Sequence, residues 1–129
     1  MVDHIGLIAK DYARSKLFYE AALAPLLITK LMAVTPEQTG AGSHCGFGAN
    51  GHPFFWIGSH GPPSTGLHVA FTAQSRDIVD EFYRAALGAR GRDNGAPGLR
   101  PHYHEHYYGA FLFDPNGNNV EAVCHRSEA

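Results

Sequence analysis

The first half of the chain changes from strand-like to helix-like spacing of its apolar residues. Val2–Ala9 alternates, with apolar side chains on one face and His4 and Gly6 on the other, which predicts a half-buried strand. A helix follows Asp11, a suitable N-cap, and its predicted apolar stripe is formed by Ala13, Leu17, Phe18, Ala21 and Ala22. After a stop at Pro25, two more strands are predicted, at Leu26–Val34 and Phe54–Gly58.

The second half repeats this order of elements. An alternating segment places Leu67, Val69 and Phe71 on one face, and His68 and Ala70 on the other. Ser75 is a suitable cap for a helix whose predicted inward residues are Ile78, Val79, Phe82 and Ala86. A hairpin through Asp114-Pro-Asn-Gly is then predicted to join the strands Tyr107–Phe113 and Asn119–His125.

Direct matches between the halves indicate an internal repeat. His4 and His68 are 64 residues apart, and the hexamers FYEAAL (18–23) and FYRAAL (82–87) keep the same offset. Asn50-Gly51 and Asn116-Gly117 match at an offset of 66, a slip that a loop absorbs. The sequence therefore predicts one domain, 1–129, with module one at 1–58, a linker at 59–65 and module two at 66–129.

Length and composition narrow the function. A chain of 129 residues fits a single domain with its own core. A formal charge of −2 provides no basic field for nucleic acid or an anionic membrane. No signal-peptide pattern and no apolar run of about 18 residues is present, so we expect a cytoplasmic protein, with Cys45 and Cys124 as reduced, partly buried thiols.

Three potential metal ligands fall on strand faces that point away from the predicted helices. Val120, Ala122 and Cys124 form the helix-facing set of the last strand, so Glu121 points the other way, as His4 and His68 do on theirs. Two imidazoles and a carboxylate suit Fe(II), Mn(II), Zn(II) or Ni(II) with coordination positions left open for substrate. The alternative is two ordinary half-exposed histidines and a surface carboxylate.

The segment 100–108, RPHYHEHYY, concentrates groups that transfer protons. We predict His102, His104 and Tyr107 as catalytic candidates, because histidine titrates near neutral pH and a tyrosine can orient or protonate an enolate. Arg100 is either an anchor for an anionic substrate or a surface residue. The preceding segment Gly91–Pro101 is rich in turn-forming residues and is a candidate lid. The alternative for the His/Tyr segment 100–108 is a solvated polar loop without a catalytic role.

Aromatic residues are candidates for the walls of a cleft. Alternation places Phe111 on the face of Tyr107, which we assign provisionally to the cleft. Phe55 and Trp56 belong to an aromatic run that either joins the core or lines a small-molecule site.

The motifs DHIGL (3–7), FYEAAL (18–23), GLHVAF (66–71) and FDPNGNNVEAV (113–123) resemble those of the vicinal oxygen chelate superfamily, which includes glyoxalase I, bleomycin-resistance proteins and extradiol dioxygenases. The resemblance covers nearly the whole chain. It implies an α+β fold in which two βαβββ modules form an open, barrel-like mixed sheet around a cleft. It also implies His4, His68 and Glu121 as metal ligands, and modules that pair within one chain or are exchanged in a homodimer, which we expect here.

Three departures from the family pattern refine the function. Glyoxalase I has an acidic fourth ligand from module one, but here the matching position is Phe55 or Ile57, and residues 44–60 contain no Asp or Glu. Extradiol dioxygenases have a Tyr where this chain has Phe111. Bleomycin-resistance proteins typically lack the triad that this chain keeps.

Two main hypotheses follow. In the first, a divalent metal binds a small-molecule substrate through two adjacent oxygens and, as a Lewis acid, stabilises an enolate-like state in a lyase, isomerase or oxygenase reaction. In the second, the protein is a metal-free module that binds or sequesters an apolar or aromatic small molecule. A third, a structural dimer subunit with a degenerate site, is the weakest.

Overall fold

Each half of the chain folds into a four-stranded sheet with one long helix, in the order that the repeat predicts. A computed structural model describes residues 1–127, so residues 128 and 129 of the predicted second module lie outside the described residues. The first module consists of β1 (Ile5–Ile8), α1 (Tyr12–Leu23), β2 (Thr29–Val34), the short helix α2 (Pro36–Thr39), β3 (His44–Ala49) and β4 (His52–Gly58). The second consists of β5 (His68–Thr72), α3 (Arg76–Gly88), β6 (Arg92–Leu99), β7 (Tyr108–Phe113) and β8 (Asn119–Cys124).

The two sheets have the same topology. Their strand orders are β1-β4-β3-β2 and β5-β8-β7-β6, and in each the first and last strands of the module pair in parallel while the other pairs are antiparallel. The sheets do not close into a barrel, and the predicted α+β fold of two βαβββ modules is confirmed. Within residues 1–127, none of the helices has the length and apolar character needed to cross a bilayer.

Both long helices begin where their caps predict. The side chain of Asp11 accepts a hydrogen bond from Arg14 N at 3.1 Å, and that of Ser75 accepts one from Ile78 N at 3.2 Å. The predicted stripe of α1 needs correction, because Leu17 is 65% exposed. The buried face has helical spacing but is rotated about the axis, and it consists of Ser15, Phe18, Tyr19, Ala22 and Leu23.

Strands β2 and β3 differ most from the predictions for the first module. Strand β2 begins at Thr29 rather than Leu26, because a 3₁₀ turn occupies Ala24–Leu26 and Leu27 has a φ of 60°. Strand β3 falls in a glycine-containing stretch with little strand propensity, where no strand was predicted.

The predicted lid is also wrong for most of its length. Arg92–Leu99 forms strand β6 at the edge of the second sheet, with two register shifts against β7. An edge strand tolerates Pro97 and its glycines because one side of its backbone needs no partner strand.

One hydrophobic core joins the modules. Phe55 of the first sheet meets Phe71 of the second edge-to-face, with ring centroids 5.3 Å apart. Tyr19 of α1 packs on Phe55 at 4.9 Å, and Phe82 of α3 lies in the same cluster. These aromatic contacts bury large apolar surfaces from both halves, so neither sheet has a separate core.

The Asp114-Pro-Asn-Gly-Asn turn of module two attaches to module one and to the linker by side-chain hydrogen bonds. Asp114 is 3% exposed and accepts a hydrogen bond from the hydroxyl of Tyr19 at 2.6 Å. Asn116 Nδ2 donates to the carbonyl of Ile8 at 2.9 Å, and Asn118 Nδ2 donates to that of Ser64 at 3.0 Å. The FDPNGNNVEAV motif (113–123) therefore also contains the polar joint between the modules.

We expect Tyr19→Phe to lower the free energy of unfolding by about 1–3 kcal/mol, because it leaves a buried carboxylate without one of its donors. Chemical denaturation at neutral pH measures the change. Tyr83→Phe is the matched control, since Tyr83 donates to Asp93 at 2.9 Å on the surface; its loss should be within about 0.5 kcal/mol. Equal losses in the two variants would contradict the assignment of the joint.

The same bond predicts a dependence of stability on pH. Burial and the neighbouring Asp114 raise the pKa of Tyr19 well above its ordinary value. The unfolded chain therefore releases this proton first, so the contribution of Tyr19 is fully present below about pH 10 and is lost as the pH rises further. The loss of stability between neutral and strongly alkaline pH should be smaller in Tyr19→Phe than in the native protein.

Candidate functional site

The buried side chain of Glu121 is the centre of the candidate site. Glu121 lies in the middle of β8, between Ala70 of β5 and Phe111 of β7, and is 0% exposed. His68 Nε2 donates to Oε1 at 2.8 Å, and the hydroxyl of Tyr107 donates to Oε2. A carboxylate at this depth is tolerated because both of its oxygens have polar partners.

Strand alternation and one glycine create the space for this arrangement. Val120 and Ala122 point into the core, so Glu121 points to the open face, as predicted. A Cβ at Gly109 would lie 3.2 Å from Glu121 Oε2 and 3.1 Å from the ring of Tyr107. Glycine at this position of β7 therefore allows the tyrosine to reach the carboxylate.

Tyr107 reaches the site from the loop that joins β6 to β7. Arg100 N donates to the carbonyl of Tyr107 at 2.7 Å and closes this loop, and the ring of Tyr103 packs against that of Tyr107 at 5.1 Å. Burial, followed by the hydrogen bond to Glu121, raises the pKa of Tyr107 above its ordinary value. The phenol therefore stays protonated, and available as a donor, at neutral pH.

The second sheet and this loop line an open cavity of about 770 Å³. The predicted residues that it brings together are His68, Arg100, Tyr107, Phe111 and Glu121. The prediction did not include Asn94, Gly95, Tyr103 and Asn119, which also line the cavity. Tyr103 was missed because it lies in a loop, where the strand alternation that selected Tyr107 does not apply. Asn94 and Gly95 were missed because their segment was predicted as a lid and not as strand β6.

Two histidines of the same loop, His102 and His104, lie at its surface. His102 is exposed and packs against Tyr103, with ring centroids 4.2 Å apart. His104 is also exposed, and its ring lies 5.5 Å from that of His125. Neither lines the cavity around Glu121, so their proposed proton-transfer role has no support from the position of either side chain.

His4 lies on the first module, apart from the pair of His68 and Glu121. Its Nδ1 donates to Asp3 Oδ2 at 2.7 Å, and this hydrogen bond lowers the pKa of Asp3. The residue lines a second cavity of about 460 Å³ together with residues of β1, β4 and β5. Across residues 1–127, no group of three His, Cys, Asp or Glu side chains is close enough to hold one metal ion.

Strand register corrects the expected position of the missing fourth ligand. Trp56 pairs with Gly6 on β4 and β1, as Glu121 pairs with Ala70 on β8 and β5. The position equivalent to Glu121 is therefore Trp56, and neither Phe55 nor Ile57 as predicted. Those two neighbours point into the core, where Phe55 is 1% exposed.

Gly46 lets the Trp56 side chain lie across the open face of the first sheet. A Cβ at Gly46 would be 2.9 Å from the indole atoms Cζ2 and Cη2, and a Cβ at Gly6 would be 3.6 Å from the Cβ of Trp56. An aromatic wall thus occupies module one at the position where module two carries its carboxylate.

Comparison with known proteins identifies the family. The model of the glyoxalase/bleomycin resistance protein/dioxygenase superfamily matches residues 1–122. The chain belongs to this superfamily. No curated protein matches it.

Solved structures extend this result. A glyoxalase/bleomycin resistance protein from Albidiferax ferrireducens T118 is 28% identical, with a TM-score of 0.77 over 98% of this chain and 99% of that one. Lactoylglutathione lyase from Agrobacterium tumefaciens is 17% identical, with a TM-score of 0.66 and coverage of 96% and 92%. The fosfomycin resistance protein FosX from Listeria monocytogenes is 17% identical, with a TM-score of 0.68 and the same coverage. At 17% identity, these two likenesses show a shared fold.

We expect His68→Ala to destabilise the metal-free protein by about 1–2 kcal/mol, because it removes a donor from a carboxylate with no solvent exposure. Denaturant titration measures the free energy of unfolding. His60→Ala, at an exposed position of the linker, is the control and should change it by no more than about 0.5 kcal/mol. An unchanged stability of His68→Ala would show that the bond to Glu121 is not formed in solution.

Proposed function

We propose that this protein is a metal-dependent enzyme of its superfamily that acts on a small molecule bound through two adjacent oxygens. We further propose that it works as a homodimer, with His4 from one chain and His68 and Glu121 from the other as metal ligands. The observation that carries the proposal is the completely buried carboxylate of Glu121, held 2.8 Å from an imidazole nitrogen on the open face of a sheet.

The residues fit a divalent metal ion. Two ligands in adjacent coordination positions, each about 2.1 Å from a metal, lie about 3 Å apart. The atoms His68 Nε2 and Glu121 Oε1 already have this spacing. Metal binding would replace their hydrogen bond, and Tyr107 would still hold the second carboxylate oxygen.

His4 has the features of the third ligand. Its Nδ1 is held by the Asp3 carboxylate, which leaves Nε2 as the nitrogen that can coordinate a metal. Carboxylate–histidine pairs of this kind orient metal-binding imidazoles and make them better ligands. The lowered pKa of Asp3 keeps the supporting carboxylate charged.

A second copy of the chain would complete the triad. In the described residues the triad is divided between the two modules. The modules share one topology, so a two-fold axis can place the first module of one chain over the second module of its partner. The open face with His4 and Trp56 would then cover the cavity lined by the partner's His68 and the partner's Glu121.

A metal bound there would act as a Lewis acid that stabilises negative charge developing on a substrate oxygen. The protein's own residues supply the remaining functions. If Tyr107 exchanges its bond to Glu121 Oε2 for one to that oxygen, its single O–H can supply the substrate with a hydrogen bond or a proton, while Phe111 shields the carboxylate from water. Tyr107 would thereby supply a phenol in place of the tyrosine that extradiol dioxygenases have at the position of Phe111.

The trio of ligands favours open coordination. Because Trp56 stands where a second carboxylate would be needed, more positions remain for substrate oxygens or water than in a four-ligand site. Lactoylglutathione lyase and a fosfomycin resistance protein share this fold, so the scaffold serves different reactions, and we place this protein among the lyases, isomerases or oxygenases.

Mixing two inactive variants tests both the metal site and the dimer. We expect His4→Ala and Glu121→Gln each to lose tight metal binding, since each removes one ligand. A mixture that is unfolded and refolded together should regain about a quarter of the native sites, because half the dimers are mixed and each of these holds one intact site. Equilibrium dialysis with elemental analysis measures the recovery, and each variant refolded alone is the control.

Other outcomes would revise the proposal. If native protein takes up no Fe(II), Mn(II), Zn(II) or Ni(II) at micromolar concentration, the metal-dependent function is wrong. If it binds metal but mixing restores nothing, the triad forms within one chain. If ligand affinity is the same in native protein and both variants, the protein is a sequestering module instead.

Trp56 offers an independent test, because it is the only tryptophan of the chain. In the proposed dimer, a paramagnetic ion such as Co(II) bound to the partner's Glu121 lies near the indole, so we expect it to quench most of the fluorescence. Glu121→Gln should abolish the quenching at the same Co(II) concentration. Metal uptake without quenching would contradict the proposed dimer, in which the first module of one chain faces the second module of its partner.

A further inference from the structure

Arg100 holds its guanidinium in the same cavity as the predicted metal ligands of module two. It follows the last residue of β6 and lines the cavity together with His68, Tyr107 and Glu121. Its Nη2 donates to the carbonyl of Ala96 at 2.8 Å, and its Cζ lies 5.4 Å from the ring centroid of Phe111. The hydrogen bond and the cation–π contact fix the cation at the wall of the cavity.

Two glycines leave space for this guanidinium. A Cβ at Gly98 would be 3.0 Å from Nη1, and one at Gly95 would be 3.2 Å from Nη2 and 3.0 Å from the ring of Phe111. Either side chain would move the cation or the ring beneath it. The glycines that suggested a lid in the sequence thus leave room for the guanidinium of Arg100.

The charge of Arg100 has no partner of opposite sign in the described part of the chain. No carboxylate of residues 1–127 forms an ion pair with it, and Glu121 in the same cavity is engaged by His68 and Tyr107. Four of the five guanidinium N–H donors remain after the bond to Ala96. A fixed and unpaired guanidinium beside a cavity suits bidentate binding of an oxyanion.

We propose that Arg100 binds an anionic group of the substrate. The substrate is then a small molecule that carries a carboxylate or a phosphonate in addition to the two oxygens that face the metal. This inference rests on the proposed function, because it assigns the second point of attachment in the same cavity. It does not need the metal, however, since the cation is in place in the described chain.

Arg92 is an internal control for the chemistry of Arg100. Both belong to the same edge of the second sheet, and Arg92 Cζ lies 5.1 Å from the ring of Phe113. Its environment resembles that of Arg100, but it does not line the cavity. Removing either arginine deletes the same charge. Because only Arg100 lines the cavity, only its removal should weaken binding there.

Isothermal titration of malonate, phosphonoacetate and the neutral malonamide tests the proposal on metal-free and metal-loaded protein. We expect the preferred anion to bind at least about tenfold more tightly than malonamide to native protein. This preference should fall about tenfold in Arg100→Gln, persist in part in Arg100→Lys and be unchanged in Arg92→Gln. Gly98→Ala keeps the charge but crowds the guanidinium, so it should reduce the preference less than Arg100→Gln does.

The outcomes separate this proposal from the proposed function. Anions that bind no better than malonamide, or an equal loss in Arg92→Gln and Arg100→Gln, would overturn the role of Arg100 whatever the metal content. Failure to bind metal with a retained, Arg100-dependent preference for anions would overturn the metal-dependent function and leave this inference intact. A preference for malonate or for phosphonoacetate supports the inference and identifies the shape of the anion.

Discussion

The buried joint around Asp114 is the interaction on which the rest of the structure depends. Its carboxylate binds the hydroxyl of Tyr19 at 2.6 Å and the backbone N–H groups of Asn116 and Asn118, each at 2.9 Å. One side chain therefore shapes the turn before β8 and attaches it to the helix of the other module. Because Glu121 lies three residues beyond Asn118, the position of the Glu121 carboxylate follows from the geometry of this joint.

Glycines determine what the two open sheet faces can hold. Gly109 admits Tyr107 to Glu121, Gly98 admits the guanidinium of Arg100, and Gly46 admits the indole of Trp56. In each case a larger side chain lies directly over the glycine, where a Cβ would come within about 3 Å of its atoms. The chemistry of each face therefore depends on residues that themselves carry no functional group.

The fold could be predicted from the sequence because its strongest signals are periodic. Alternation around His68 and Glu121 is a local property of a strand, and it correctly assigned their faces. The equivalence of Trp56 to Glu121 depends on pairing between strands that are far apart in sequence. Sequence offsets between the two halves do not contain this pairing, so they selected the neighbouring residues Phe55 and Ile57. The separation of His4 from His68 and Glu121 depends on how the modules pack, which no local sequence pattern predicts. Strand β6 was missed because an edge strand accepts residues that a central strand excludes.

The exchange of a carboxylate for an indole at one repeat position has a consequence for stereochemistry. Two identical modules would form a cleft with two-fold symmetry, and such a cleft presents the same groups to both ends of a bound molecule. Trp56 and Glu121 break that symmetry at equivalent positions. A molecule that enters such a cleft can be held in a single orientation, so a scaffold built by repetition becomes able to distinguish mirror-related faces of its ligand.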